Sequence, residues 1–163
     1  MKKDVSRSYS AVISVPFGRL GLCSSAGQLD EIVFLPHDAA LIAPCDAISQ
    51  DAILQINAYL ENPEHSFTLT CQQTQASPFR RRVWDAIAAI PCGETRTYGQ
   101  LAEKLCSAPR AIGQACGDNP FPIIVPCHRV TAQRGLGGFA HGAADYLLEA
   151  KEWLLRHEGA RLL

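Results

Sequence analysis

The sequence lacks any apolar run of the roughly 18 residues that a membrane-spanning helix needs, so no membrane association is expected. Residues 1–7 place no apolar core after their basic side chains, so no secretory signal is expected there. No C-x-x-C pair occurs, and the 7 cysteines are widely spaced. An odd, scattered set of cysteines argues against a disulfide framework and a zinc knuckle. We therefore expect a cytoplasmic protein without a bound metal.

A strong net charge is also missing, because the chain of 163 residues has a formal charge of −1. The charge is unevenly distributed: residues 1–76 carry 4 basic and 8 acidic side chains, whereas residues 77–163 carry 11 and 8. The second half therefore has the positive balance that a phosphate-contacting surface requires.

The first half predicts a small sheet followed by a helix. Apolar segments between turn residues predict three strands of an antiparallel meander: 10–15, 20–23 and 29–35. An amphipathic helix is predicted over 49–60, with Ile53, Ile56, Ala58 and Leu60 on its apolar side. Alternating residues predict one more strand at 66–71. The polar segment 72–76 is interpreted as a linker, which divides the chain into domains 1–76 and 77–163.

The second half is predicted to be helical. Ser77 and Pro78 form an N-terminal cap before apolar residues at helical spacing. Thr97 and Gln100 have the spacing of a capping box, which opens a short helix. A further helix is predicted over 110–116. The two short helices fit a helix-turn-helix or a plain helical hairpin equally well by pattern alone. The expected fold class is therefore α+β.

The chemistry is expected where an apolar run ends on Pro126-Cys127-His128-Arg129. A nucleophilic cysteine needs thiolate character, which a neighbouring histidine oriented by a third group can supply. Glu158, at the end of the last helix, is the candidate third group. If its carboxylate pairs with His128, the pKa of Cys127 should lie below the ordinary value of about 8.5.

These residues, together with Asn119-Pro120 before them and Gly135–Phe139 after them, resemble the methylated-DNA–protein-cysteine methyltransferases. The resemblance extends from about Ser77 to Gly159. It implies a ribonuclease H-like α/β domain at 1–76, and a DNA-binding and alkyltransferase domain with a helix-turn-helix at 77–163.

The resemblance also implies the catalytic roles. Cys127 would accept the alkyl group, His128 would take the thiol proton through a water, and Glu158 would orient the imidazole. Tyr98 would donate a proton towards the guanine ring. No cofactor is implied, and because a thioether is not hydrolysed at a useful rate, each molecule would act once.

The implied partner is duplex DNA with an O6-alkylguanine, bound by a monomer through the minor groove. Small residues on the second helix of the helix-turn-helix would let that helix approach DNA of any sequence closely. Arg110 would fill the space that the flipped base leaves. An arginine at a helix start opposes the helix dipole, which favours a functional role. The implied DNA-binding residues are Arg110, Ala111, Gly113, Ala115, Asn119 and Arg129. Asn119 would also join the helix-turn-helix to the active-site turn.

The implied base pocket consists of Val130, Gly138, Phe139 and Ala140. Two departures from the family pattern affect it. The first is the loop around Phe139, which is one residue shorter than in many relatives and has phenylalanine where a tyrosine is frequent. The second is the link at 143–149, which is longer than usual in the family. The accepted alkyl size therefore stays open.

The expected function is repair of O6-alkylguanine, and of O4-alkylthymine, by irreversible transfer to Cys127. The alternative is a non-catalytic lesion-binding protein of the same fold, but such relatives replace the reactive cysteine. A thiol peptidase with a Cys-His pair is a third hypothesis, and the helix-turn-helix argues against it.

Overall fold

The computed structural model describes residues 8–72, 76–142 and 144–161. Its first half contains the predicted antiparallel meander, with strands β1 (Ala11–Val15), β2 (Gly18–Ser25) and β3 (Gln28–Leu35) in that order. One face of this sheet supplies buried apolar residues, including Leu20, Leu22, Leu29, Ile32 and Phe34. Helix α1 follows and packs on it, so the predicted order of three strands and a helix is confirmed.

Helix α1 (Ala47–Glu61) begins two residues before the predicted start, because Asp46 forms a capping box with Ser49. Its buried face also differs from the predicted one. Ile56 is buried as expected, whereas Ile53 and Leu60 are only partly buried and Tyr59 takes the interior position. The helix therefore points a phenol into the protein.

The segment 66–71 is not the regular strand that its alternation predicted. Only Cys71 forms an isolated bridge, to Leu29 at the end of the sheet. The amide of Thr68 donates to the Gln55 side chain of α1 at 2.8 Å, and Leu29 of β3 exchanges backbone hydrogen bonds with Thr70 and Gln72, so both the helix and the sheet hold this segment. Residues 73–75 of the predicted linker lie outside the described residues, and the division at 76/77 stays a prediction.

The second half has the predicted helices α2 (Pro78–Ala88), α3 (Tyr98–Lys104) and α4 (Pro109–Gly117). Ser77 caps α2, and Thr97 with Gln100 forms the capping box of α3, both as predicted. Helices α3 and α4 pack on each other as the helix-turn-helix. The sequence did not predict the short parallel pair of β4 (Arg96–Thr97) and β5 (Val130–Thr131), which joins the start of α3 to the active-site turn.

Helix α5 (Asp145–His157) closes the fold. Five of the residues assigned to the longer link, 145–149, form its first turns, and Ala143 lies outside the described residues. Gly159 has the predicted left-handed conformation, with φ of 71°, and ends the helix just past Glu158. No helix in the part of the chain that the structure describes combines the length and apolar character needed to cross a membrane.

Candidate active site

The run that was predicted to carry the chemistry ends in a single 3₁₀ turn at Cys127–Arg129. Cys127 and His128 are both buried, with exposed fractions of 4% and 0%. The tight turn directs the two side chains to different places, as the sequence suggested for adjacent catalytic residues. Cys127 faces a cavity, whereas His128 contacts the end of α5.

The cavity in front of Cys127 has a volume of about 500 Å³. One wall belongs to α4 and the other to the loop 138–142. The lining residues are Tyr98, Pro109, Gly113, Cys116, Gly117, Cys127, Gly138, Phe139, Ala140, His141 and Gly142. A space of this size, open to the surface and mostly apolar, can hold a planar ring with a small substituent.

His128 and Glu158 form a fully buried pair, with 2.9 Å between Nε2 and Oε1. Burial alone would raise the pKa of Glu158, but hydrogen bonds from His128 and Arg129 outweigh burial and lower it to about 2. An ionised carboxylate only accepts hydrogen bonds, so Nε2 of His128 carries a proton. The other ring nitrogen, Nδ1, is buried without a hydrogen-bond partner among the described residues and is free to accept a proton.

The side chain of Arg129, which the resemblance implied as a DNA contact, is turned towards Glu158. Its side chain is 12% exposed and donates from Nε to Oε2 of Glu158 at 2.8 Å, and from a terminal nitrogen to Oε1 at 2.8 Å. The other terminal nitrogen donates to the carbonyl of Ile90. Because each of its three nitrogens donates inside the protein, Arg129 holds the Glu158 carboxylate in place.

Tyr59 is a contact that sequence reasoning missed. Its hydroxyl donates to Oε1 of Glu158 at 2.8 Å, so a helix of the first half supports the carboxylate. The available signal was its spacing of three residues from Ile56 on the buried face of α1, together with the need of a buried tyrosine for a partner.

The pKa directions differ from the sequence expectation. Burial raises the pKa of the Cys127 thiol, and the hydrogen bond from Asn119 and the charge of Lys151 offset this only in part. Burial likewise lowers the pKa of His128 more than Glu158 raises it. The resting site therefore holds a neutral thiol beside a neutral imidazole. The sequence could not show this, because burial of the turn depends on long-range packing.

Lys151 is the second residue that sequence reasoning missed. It is fully buried, and Nζ donates to the carbonyls of Val130 at 2.7 Å and Gly138 at 2.9 Å. Nζ also lies 5.7 Å from the ring centre of Tyr98 and 5.8 Å from that of Phe139. Lys151 thus ties the active-site turn to the cavity loop. Its place on the apolar face of α5, four residues after Leu147, was the available signal.

Tyr98 lines the cavity, and Asn119 lies between α4 and the active-site turn. The hydroxyl of Tyr98 donates to the carbonyl of Gly138 at 3.2 Å, and burial raises its pKa so that it stays protonated. The Asn119 side chain donates to the carbonyl of Val125 at 2.8 Å and accepts from the amide of Phe121. Asn119 therefore holds the approach to the active-site turn directly after α4.

The expected DNA-binding residues of α4 divide into two groups. Arg110 is exposed in the first turn, and the space over Gly113 is open. Ala115, in contrast, is 2% exposed and faces α2, where its carbonyl accepts from the indole of Trp84, so it does not belong to the outer face. Ala111 is partly buried between these positions.

Of the four residues that the resemblance implied for the base pocket, Gly138, Phe139 and Ala140 line the cavity, whereas Val130 is not among its lining residues. Phe139 is buried, and its ring centre lies 5.0 Å from that of Phe34 in β3. Gly138 and Ala140 are exposed, and Val130 is buried. Within residues 8–72, 76–142 and 144–161, no group of three or more His, Cys, Asp or Glu residues could hold a metal ion.

Comparison with known proteins shows which family the chain resembles. Residues 78–160 match the family model described as 6-O-methylguanine DNA methyltransferase, DNA binding domain. The methylated-DNA–protein-cysteine methyltransferase of Salmonella typhimurium is 53% identical over 93 residues, 55% of this chain and 52% of that protein. The chain thus spans about half the length of this relative. The enzyme of that name from Methanosarcina mazei is 35% identical over 158 residues, which cover 92% of this chain and 96% of the relative.

Solved structures show the same similarity. The O6-methylguanine methyltransferase of Mycobacterium tuberculosis superposes with a TM-score of 0.74 at 31% identity, covering 91% of this chain and 90% of that one. A structure of the protein of that organism in complex with DNA has a TM-score of 0.71 at 32% identity, with 91% of each chain covered. The chain belongs to the methylated-DNA–protein-cysteine methyltransferase family.

Proposed function

We propose that this protein repairs DNA by moving the alkyl group of O6-alkylguanine, and of O4-alkylthymine, irreversibly onto Cys127. The observation that carries the proposal is the arrangement around one thiol: Cys127 faces the cavity, and the buried pair of His128 and Glu158 lies behind it. The relatives named as methylated-DNA–protein-cysteine methyltransferases support the same reaction.

The reaction starts with removal of the thiol proton. The free Nδ1 of His128 accepts it, directly or through a water, while Glu158 stabilises the resulting imidazolium through Nε2. Because burial raises the pKa of Cys127, the thiol keeps its proton until this transfer to His128. The resting thiol is thereby protected from other electrophiles.

The transfer itself is a displacement at the alkyl carbon. A sulfur lone pair forms the new S–C bond, the C–O6 bond breaks, and its electron pair passes to the guanine. Tyr98, which keeps its proton because burial raises its pKa, donates that proton to the departing base. The His128 imidazolium then releases the proton taken from Cys127 to solvent, and the Tyr98 phenolate takes one up. The net transfer is one proton from the thiol to guanine, which needs no cofactor. The thioether product has no route back to a thiol, which limits each molecule to one reaction.

DNA would bind as a duplex to one protein monomer through the outer face of α4. Small residues at Ala111 and Gly113 permit a close approach to the minor groove, and the exposed Arg110 fills the place of the flipped base. The DNA complex of the Mycobacterium tuberculosis protein supports DNA as the partner.

The decisive experiment is intact-protein mass spectrometry after incubation with a duplex that contains one O6-methylguanine. The wild-type protein should gain one methylene unit in mass, once per molecule, and the modified peptide should contain Cys127. Cys127→Ala should gain nothing and still bind the duplex, while Cys45→Ala, an exposed cysteine away from the cavity, serves as the matched control. Binding without any mass gain in the wild-type protein would favour a lesion-binding protein instead.

A further inference from the structure

One contact connects the two walls of the cavity. His141 belongs to the cavity loop, and its Nε2 lies 2.8 Å from Oδ1 of Asp118, which directly follows α4. The other carboxylate oxygen of Asp118 pairs with Arg80 of α2. We call the His141–Asp118 contact the clasp.

The packing around the clasp is specific. Ala140 and His141 both have left-handed backbone conformations, with φ of 49° and 59°, which turn the imidazole back towards α4. The ring lies directly over the Cα of Gly117, where a side-chain carbon would overlap it. The lack of a side chain at Gly117 therefore creates the place that the imidazole occupies.

The clasp also borders the space in front of the reactive sulfur. Both His141 and Gly117 line the cavity that contains Cys127, and the imidazole fills the gap between the loop and the C-terminal end of α4. The start of the cavity loop is fixed in place, because Phe139 packs on Phe34 and Lys151 donates a hydrogen bond to the carbonyl of Gly138.

We infer that the clasp sets the size of the O6-substituent that reaches Cys127, an inference that rests on the proposed alkyl transfer. A methyl group fits beside the sulfur while the clasp is closed. A benzyl group needs the space of the imidazole, so the clasp has to open first.

Opening is possible because the pair is partly solvated. The side chains of His141 and Asp118 are 38% and 27% exposed, and polar contacts of this exposure contribute little stability. The transfer of bulky O6-substituents is consequently slowed but not prevented.

The test compares single-turnover rates on two duplexes of one sequence, containing O6-methylguanine or O6-benzylguanine. The measured quantity is the ratio of the methyl rate to the benzyl rate for each variant. His141→Ala should lower this ratio about tenfold, the usual scale for a change in the size of an apolar pocket. His141→Asn should do the same, because asparagine tolerates the left-handed conformation but is too short to bind Asp118.

Asp118→Ala distinguishes the effect of the His141–Asp118 hydrogen bond from the effect of the size of the imidazole, because it removes the bond and keeps the ring. If the pair is the limiting element, Asp118→Ala and the double variant should lower the ratio as much as His141→Ala does. A change in the histidine variants without one in Asp118→Ala would overturn the clasp, as would an unchanged ratio in all of them.

The control is His37→Ala, which removes another exposed histidine–carboxylate pair, 3.2 Å from Glu149 and outside the cavity lining. Its ratio should equal that of the wild-type protein. Failure of the proposed function would look different, because the wild-type protein would then transfer no methyl group at all.

Discussion

The hydroxyl of Tyr59 in α1 donates to Oε1 of Glu158 at the end of α5, across 99 positions of sequence and at 2.8 Å. The same oxygen accepts from His128 and Arg129. The carboxylate that is proposed to orient the catalytic imidazole is therefore held from both halves of the chain, and this hydrogen bond makes the first half part of the reactive site.

Tyr59→Phe should consequently weaken both folding and transfer. Loss of a hydrogen bond to a buried charged group should lower the free energy of unfolding by about 2 kcal/mol. The transfer rate should fall only a few-fold, since His128 and Arg129 still hold Glu158. Urea unfolding and single-turnover kinetics measure the two effects. Tyr146→Phe is the matched control, because the Tyr146 hydroxyl has no hydrogen bond among the described residues. Equal losses in both variants would show that the bond to Glu158 has no special effect.

Arg110→Ala should separate base flipping from chemistry. Repair of a duplex needs a side chain that fills the vacated stack, whereas the free base O6-benzylguanine does not. We expect a fall of at least about tenfold in the rate on the duplex, equivalent to about 1.4 kcal/mol, and little change on the free base. Arg156→Ala, an exposed arginine paired with Glu152, is the control. An equal loss of rate on both substrates would show that Arg110 supports the fold and has no role in base flipping.

Local patterns predicted much of this fold and part of the site. The capping box of Thr97 and Gln100 and the left-handed Gly159 depend on neighbouring residues alone, and both were visible in the sequence. The orientations of Arg129 and Tyr59 were not visible, because they depend on α5 folding back onto the active-site turn. The direction of the Cys127 pKa was wrong for the same reason, since burial is a property of the packed chain.

Glu158→Gln should change stability with a defined pH dependence. The pKa of Glu158 falls from 4.5 to about 2 on folding, so its charge stabilises the fold fully above pH 4.5 and loses this effect as the pH falls towards 2. At pH 7 the variant should lose about 3 kcal/mol of unfolding free energy, and the difference should shrink below pH 4.5. Unfolding curves at a series of pH values measure it. A constant difference would exclude a buried charge at Glu158.

The same variant should slow transfer at neutral pH, because Gln cannot stabilise a protonated His128. Raising the pH should restore part of the rate by deprotonating Cys127 directly. Since the pKa of Cys127 is raised, this recovery should begin above the ordinary range of a thiol. Superimposable profiles of rate against pH for the two proteins would show that Glu158 has no part in the transfer and is only a residue at the end of α5.

Lys151→Met tests the buried cation beside the reactive thiol. The substitution removes the two hydrogen bonds that hold Val130 and Gly138, and it removes a charge that lowers the pKa of Cys127. Transfer should fall at least about tenfold, equivalent to about 1.4 kcal/mol. Burial lowers the pKa of Lys151 from 10.5 to about 8, so its charge opposes folding below pH 8, and this cost disappears as the pH rises from 8 to 10.5. The fold should therefore tolerate methionine.

A purely structural role for Lys151 would not move the titration of the thiol, so that titration is the informative measurement. The rate at which iodoacetamide modifies Cys127, followed by mass spectrometry across pH, reports its pKa without DNA. In Lys151→Met the midpoint should rise, because a positive charge near the thiolate is lost. Lys104→Met, at the exposed end of α3, should leave the midpoint in place. If the two variants titrate alike while transfer is lost only in Lys151→Met, the lysine acts by holding the loop and its charge has no part in activating Cys127.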